Sequence, residues 1–220
     1  MIDYEEKYHR EKKLADQLMH ALAKVADENG HYTHDHSERV ALYSMEIAKR
    51  MGKSRAEQFE IYQMGLMHDI GKIGIPNEII SKAECLMDEE YTLMKKHPMF
   101  GAKILQDISE IPGLAVGARW HHERYDGNGY PDGLKGEAIP EEARIIAIAD
   151  AYDAMSSERC YQGVMKQKKV RSEIEKGRGT QFDPEIANIF LSIIDADTEY
   201  VMNSEVPTYI IKEFFGRFDD

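Results

Sequence analysis

One set of residues constrains this chain more than any other: His36, His68, Asp69, His97, His121, His122 and Asp150. Imidazole nitrogen and carboxylate oxygen are ligands of borderline divalent metals such as iron, manganese and zinc. These five histidines and two aspartates offer more ligands than one ion can use. A shared carboxylate with six further ligands suits a two-metal site, a device for phosphate-ester hydrolysis. For His-Asp alone the bland reading, an ordinary helix end, would win; the other ligands overturn it.

Strand signals are weak along the chain, and Gly and Pro gather mainly at 71–76 and 127–140. The rest reads as helix. A first helix spans 3–28, with Leu14, Leu18, Leu22 and Val25 on one stripe. A second runs from about 34 to 51 and stops at Gly52. Ser54 and Glu57 form a capping box that opens a third, running into His68. On a continuous helix His68 and Asp69 diverge by about 100°. Gly71 and Gly74 end the helix and free the pair to converge on metal. Asp88 caps a further helix, interrupted near Pro98 and resuming to about Gln106. A helix from about 111 delivers His121 and His122, and Pro140 opens one that carries Asp150. Asp183-Pro184 opens the last, with Ile186, Ile189, Phe190 and Ile193 at core spacing. The expected fold is all-α, a helical bundle whose helices project ligands into a dinuclear site.

At 220 residues and 42% hydrophobic, the chain suits one domain with an appended helix. The division expected is 1–29 as an N-terminal helix or linker, 30–195 as the domain, and 196–220 as a tail. No apolar run approaches the roughly 18–20 residues of a membrane span, and the start is polar rather than signal-like. Only Cys85 and Cys160 are present, which suits free thiols in a reducing cytoplasm. A net charge of −12 argues against a DNA or RNA polymer as partner. An anionic substrate then needs local positive charge, which metal ions supply.

His68-Asp69-Ile70-Gly71-Lys72 resembles the HD phosphohydrolase superfamily. His121-His122-Glu123-Arg124 followed by Asp126-Gly127-Asn128-Gly129-Tyr130-Pro131 resembles its HD-GYP branch, bacterial signalling phosphodiesterases acting on cyclic di-GMP. The resemblance covers about residues 30 to 195, and the long string is highly specific. It implies one metal held by His36, His68, Asp69 and Asp150, and a second held by Asp69 as the bridge with His97, His121 and His122. The ions expected are iron or manganese, with zinc as the alternative. Some relatives carry a Glu four residues before the first His, supporting a third metal; Tyr32 stands there, so two are expected.

The same resemblance makes Asp69 and Lys72 catalytic, with a metal-bridging hydroxide attacking phosphorus. Lys72, Arg159, Tyr130 and Gln162 are the expected substrate contacts. Arg159-Cys160-Tyr161-Gln162 departs from an Arg-Pro-Tyr-Arg-like segment, and Gln162 forfeits a charge-assisted contact worth about 1.5–3 kcal/mol. Asp153, three residues after Asp150, is read as orienting a ligand. His31 and His34 are read as surface residues, as are His9 and His20. The expected activity is hydrolysis of a cyclic dinucleotide, cyclic di-GMP first, to the linear dinucleotide and onward to GMP. Two alternatives stay open: a phosphohydrolase for another nucleotide, and a catalytically weak binding module. The Gly129-Tyr130-Pro131 loop is an expected contact for a partner signalling domain, and the N-terminal helix for a homodimer.

Overall fold

The computed structural model describes residues 4–29, 35–82, 84–157 and 164–203. Among them ten α-helices form: α1 Tyr4–Asn29, α2 His36–Arg50, α3 Arg55–Met67, α4 Asn77–Ile80, α5 Asp88–Met94, α6 His97–Leu105, α7 Gly113–Trp120, α8 Glu141–Ser156, α9 Gln167–Gly177 and α10 Pro184–Ala196. No strand appears among the described residues, only an isolated bridge between Arg178 and Phe182. The all-α expectation holds. Among the described residues no helix is long and apolar enough to cross a membrane.

Helix α2 runs through the middle, buried from His36 to Ala48 except at Glu38. It packs against α1, α3, α8 and α10. Tyr43 on α2, Tyr152 on α8 and Phe190 on α10 close the core with edge-on rings 5.0–5.2 Å apart about Tyr152. Such aromatic pairs add about 0.5–1.5 kcal/mol each beyond area burial. Ser54 and Glu57 close the expected capping box on α3. Asp183 caps α10 by accepting from the Glu185 and Ile186 amides.

Two local expectations, at Asp88 and His20, need correction, and others gain detail. Leu14, Leu18, Leu22 and Val25 lie on the outer face of α1, each about half exposed, while Ala23 and Ala26 turn inward. Small residues let α1 sit close to α2 and α3, and the larger stripe is left outside. Asp88 is the first helical residue of α5 rather than its cap; Glu90 reaches back to the Met87 amide instead. The interruption expected near Pro98 falls at Lys95 and Lys96, and Pro98 sits in the first turn of α6, where its missing N–H costs nothing. His9 is exposed as expected, but His20 is half-buried, its Nε2 3.3 Å from the Tyr62 hydroxyl. His31, Tyr32, His34, Arg159, Cys160, Gln162 and the tail beyond 203 lie outside the described residues.

Candidate metal centre

Four segments converge on Asp69. His36 opens α2, and His68 and Asp69 follow the end of α3. His97 opens α6, and His121 and His122 follow α7. A 3₁₀ turn at Ile70–Gly74 seats Asp69 beside α6. Gly71 permits this, because a Cβ there would land on the His97 carbonyl and the Gly101 backbone.

The two oxygens of Asp69 face different imidazoles. Oδ2 lies 3.6 Å from His36 Nε2 and 3.4 Å from His68 Nε2. Oδ1 lies 3.3 Å from His97 Nε2 and 3.7 Å from His121 Nε2. His36, His68 and Asp69 form one compact set of donor atoms; Asp69, His97, His121 and His122 form another. Asp150 flanks the first set, with Oδ1 3.5 Å from His36 Nε2 and 3.9 Å from His68 Nε2.

Tautomers decide what the cluster can hold. Nδ1 of His68 donates to the Gly65 carbonyl at 2.7 Å, and Nδ1 of His97 to the Met94 carbonyl at 2.8 Å. His121 Nδ1 donates to the Ala118 carbonyl at 3.0 Å. A carbonyl only accepts, so each Nδ1 carries the proton and each Nε2 presents a lone pair to the centre. The Nε2 atoms of His97 and His121 are 3.3 Å apart. Two lone pairs at that distance repel unless a cation lies between them. His68 Nε2 and Asp69 Oδ1 are buried without a hydrogen-bond partner. Separations of 3.3–3.7 Å match donors held roughly 2.1 Å from a common ion. The residues fit divalent metal at both ends of Asp69.

The electrostatics of the two ends differ. Burial opposes a charge on His36, but the Asp153 and Asp69 carboxylates outweigh it and hold the imidazole up at about 10. Burial likewise opposes ionisation of Asp69, yet Lys72 and His68 keep it well below the usual carboxylate range. Burial and then the His97 imidazole push His122 down to about 3, and burial with His122 lowers His121. The carboxylate-rich end thus favours positive charge, while the imidazole-rich end stays neutral with its lone pairs available.

The expected neighbours distribute around this core. Lys72 is buried and donates to Asp69 Oδ2. Tyr130 lies against His122, ring centroids 4.8 Å apart and planes 31° from parallel. Asp153 Oδ2 accepts from His36 Nδ1 at 2.7 Å. From His121, His122 and Asp150 a groove of about 680 Å³ opens past Tyr91, Tyr130 and α9. Two residues with no role in the sequence reading emerge here. Arg39 grips Asp153 through Nε and Nη2. Glu123, buried beside His122, accepts the amides of Asp132, Gly133 and Leu134 at 2.7–3.0 Å and so anchors the Gly-rich loop. Gly129 lets that loop lie on the Glu123 Cα and the His122 carbonyl, where a Cβ would come within 2.6 Å. The position of Glu123 inside the His-His-Glu string was the one signal available for it.

Comparison with known proteins agrees with this geometry. A family model described as HD domain matches residues 17–186. The chain is 43% identical over 164 residues to a cyclic di-GMP phosphodiesterase of Thermotoga maritima, covering 73% of this chain and 44% of that protein. It is 38% identical over 168 residues to 3'3'-cGAMP-specific phosphodiesterase 3 of Vibrio cholerae, covering 76% of this chain and 36% of that protein. The chain therefore spans less than half the length of these curated relatives. The crystal structure of a cyclic GMP-AMP specific phosphodiesterase in V. cholerae superposes with a TM-score of 0.66 at 20% identity, over 90% of this chain and 52% of that one. With the His68-Asp69 pair, the His121-His122-Glu123-Arg124 segment and the Gly129-Tyr130-Pro131 loop inside one matched unit, the chain belongs to the HD domain family, in its HD-GYP branch.

Proposed function

We propose that this chain hydrolyses a cyclic dinucleotide, cyclic di-GMP first, to the linear dinucleotide and onward to GMP, using two divalent ions of iron or manganese. The observation that carries the reading is the split of Asp69, whose two oxygens face separate pairs of imidazoles. When bound, the ions supply Lewis-acid neutralisation of the phosphate and a nucleophile at neutral pH. His36, His68 and Asp150 would hold one ion, and His97, His121 and His122 the other, with Asp69 common to both. Asp153 fixes the His36 ring, and the three backbone carbonyls fix His68, His97 and His121, so the donors are oriented before substrate arrives.

Lys72 places an ammonium at the shared carboxylate, where it can shield Asp69 and reach a phosphate oxygen. Tyr130 offers a ring beside His122 for a base or sugar. Arg159 and Gln162 enter as phosphate contacts on their sequence segment alone. The groove volume of about 680 Å³ falls within the 300–1,000 Å³ usual for small-molecule sites. The relatives' names support the substrate class, and the Vibrio relative favours cyclic GMP-AMP as the second substrate to try. A cytoplasmic setting suits a nucleotide substrate and the exposed free thiol of Cys85. The outer stripe of α1 suits a homodimer contact, and the Gly129-Tyr130-Pro131 loop a signalling partner.

The test is anaerobic reconstitution with Fe(II), Mn(II) and Zn(II) separately, followed by chromatography of cyclic di-GMP, cyclic GMP-AMP and cyclic di-AMP digests. Metal-dependent release of a linear dinucleotide or GMP is expected. Failure on all three, with two ions bound, would overturn the reading.

A further inference from the structure

The groove has a far wall that the hydrolytic chemistry does not use. Lys169 and Glu173 lie one turn apart on α9, and both line the groove that also holds His122 and Asp150. Met155 and Met165 line the same groove, joined by the Met165 amide and the Met155 carbonyl at 3.2 Å and packed on the core below. Methionine is a soft, adaptable surface for the face of an aromatic ring. Lys176 donates to Glu173 Oε1 at 2.8 Å from the solvent side, which leaves further lone pairs on the carboxylate.

Charge decides what this wall accepts. With Lys176 already bridging it, the Glu173 carboxylate presents its remaining lone pairs to donors rather than to a phosphate. A neutral group bearing N–H donors suits it, and an acceptor placed beside that group suits the neighbouring Lys169 ammonium. Guanine presents both side by side: O6 accepts, while N1–H and the N2 amino group donate. Adenine in the same pose would turn its N6 amino group to the ammonium and its bare N1 to the carboxylate.

We propose that Lys169 and Glu173 form a guanine-reading subsite, Lys169 donating to O6 and Glu173 accepting from N1–H and N2–H, with the ring face on Met155 and Met165. This rests on the cyclic dinucleotide reading above and adds to it the residues that choose the base. Discrimination here comes from the wrong edge setting an amino group against the ammonium and a lone pair against the carboxylate.

The experiment measures kcat/KM of the manganese-loaded chain for cyclic di-GMP and cyclic di-AMP, in the wild type, Glu173→Ala and Lys169→Ala. The wild type should favour the guanine substrate at least tenfold. Each variant should shrink that ratio about tenfold, mainly through KM for cyclic di-GMP. Partial unfolding or metal loss lowers both rates alike and leaves the ratio where it was. A wild type without guanine preference, or a ratio untouched in both variants, overturns the subsite while the hydrolase reading stands. A wild type that cleaves bis(p-nitrophenyl) phosphate but no cyclic dinucleotide overturns the cyclic-dinucleotide reading and the subsite together.

Discussion

Asp153 accepts the Nδ1 proton of His36 at 2.7 Å, deep in the core between α2 and α8. The same carboxylate holds Arg39 Nε at 2.5 Å and Ser157 Oγ at 3.1 Å. Burial opposes its ionisation, but His36 and Arg39 keep it far below the usual carboxylate range. One group therefore orients a proposed metal ligand and balances a buried guanidinium. Asp153→Asn should weaken metal binding at the His36 end by about 10–100-fold, as loss of such supporting hydrogen bonds usually does. Asp153→Ala should in addition destabilise the fold by about 3–5 kcal/mol, because Arg39 loses its buried counter-charge. Metal titration and urea unfolding separate the two effects. Unchanged metal affinity in Asp153→Asn would show that His36 is positioned by packing alone.

The division of Asp69 gives a second expectation. The wild type should hold two ions per chain, about 3.5–4 Å apart. Asp69→Ala should lose both, because each of its oxygens faces a different set of imidazoles. His97→Ala should keep the ion at His36 and His68 and lose the other. Elemental analysis after anaerobic loading decides this, and identical losses in the two variants would mean that the ligands are assigned to the wrong ions.

The ligand positions were legible because few residue types bind metal and their neighbours form a long, specific string. Helix stops at Gly52 and the cap at Ser54 were legible too, since those signals act within a few residues. Periodicity grouped Leu14, Leu18, Leu22 and Val25 on one face, but it cannot say whether that face turns inward. Helix α9 went unmarked because its charges outnumber the apolar pair, Val170 and Ile174, that anchors it. Arg39 and Asp153 are 114 positions apart, so their pairing exists only once α2 and α8 pack. Glu123 likewise finds its three amides only when the Gly-rich loop folds back.

The Gly-rich loop carries its own reporter. Trp120, the single tryptophan of the chain, donates from Nε1 to Asp132 Oδ2 at 2.8 Å, beside Arg119. The Arg119 and Trp120 hydrogen bonds lower the Asp132 carboxyl below its ordinary value of 3.8. A carboxylate depressed in the folded state contributes its stabilisation fully above the unfolded value, and loses it as pH falls through the folded one. Trp120 emission should therefore stay level from about pH 8 to 5 and change only below about pH 4. Asp132→Asn should shift the emission already at pH 7. A midpoint near pH 6 in the wild type would assign the signal to an imidazole instead.

Glu123 offers the sharpest test of how the loop is held to the metal centre. Its Oε1 accepts from the Asp132 amide at 2.7 Å and the Gly133 amide at 3.0 Å, and its Oε2 from the Leu134 amide at 3.0 Å. Only the carboxylate end of a buried side chain supplies three acceptors at that spot. Glu123→Ala leaves three backbone donors without it, yet Asp132 and Gly133 are exposed, so water replaces part of the loss. The cost to folding should be about 1–3 kcal/mol rather than three times that figure. The loop should loosen locally as well, because those bonds tie it to the residue after His122. Amide exchange at 132–134 should accelerate tenfold or more in Glu123→Ala, while the α2 core amides, which exchange through global unfolding, should accelerate only as far as the lost folding free energy requires. Glu123→Gln keeps the carbonyl oxygen for Asp132 and Gly133 and turns an amino group towards Leu134. It should therefore expose the Leu134 amide selectively. No acceleration at any of the three amides in Glu123→Gln and Glu123→Ala would mean that the loop is held by its surroundings rather than by this carboxylate.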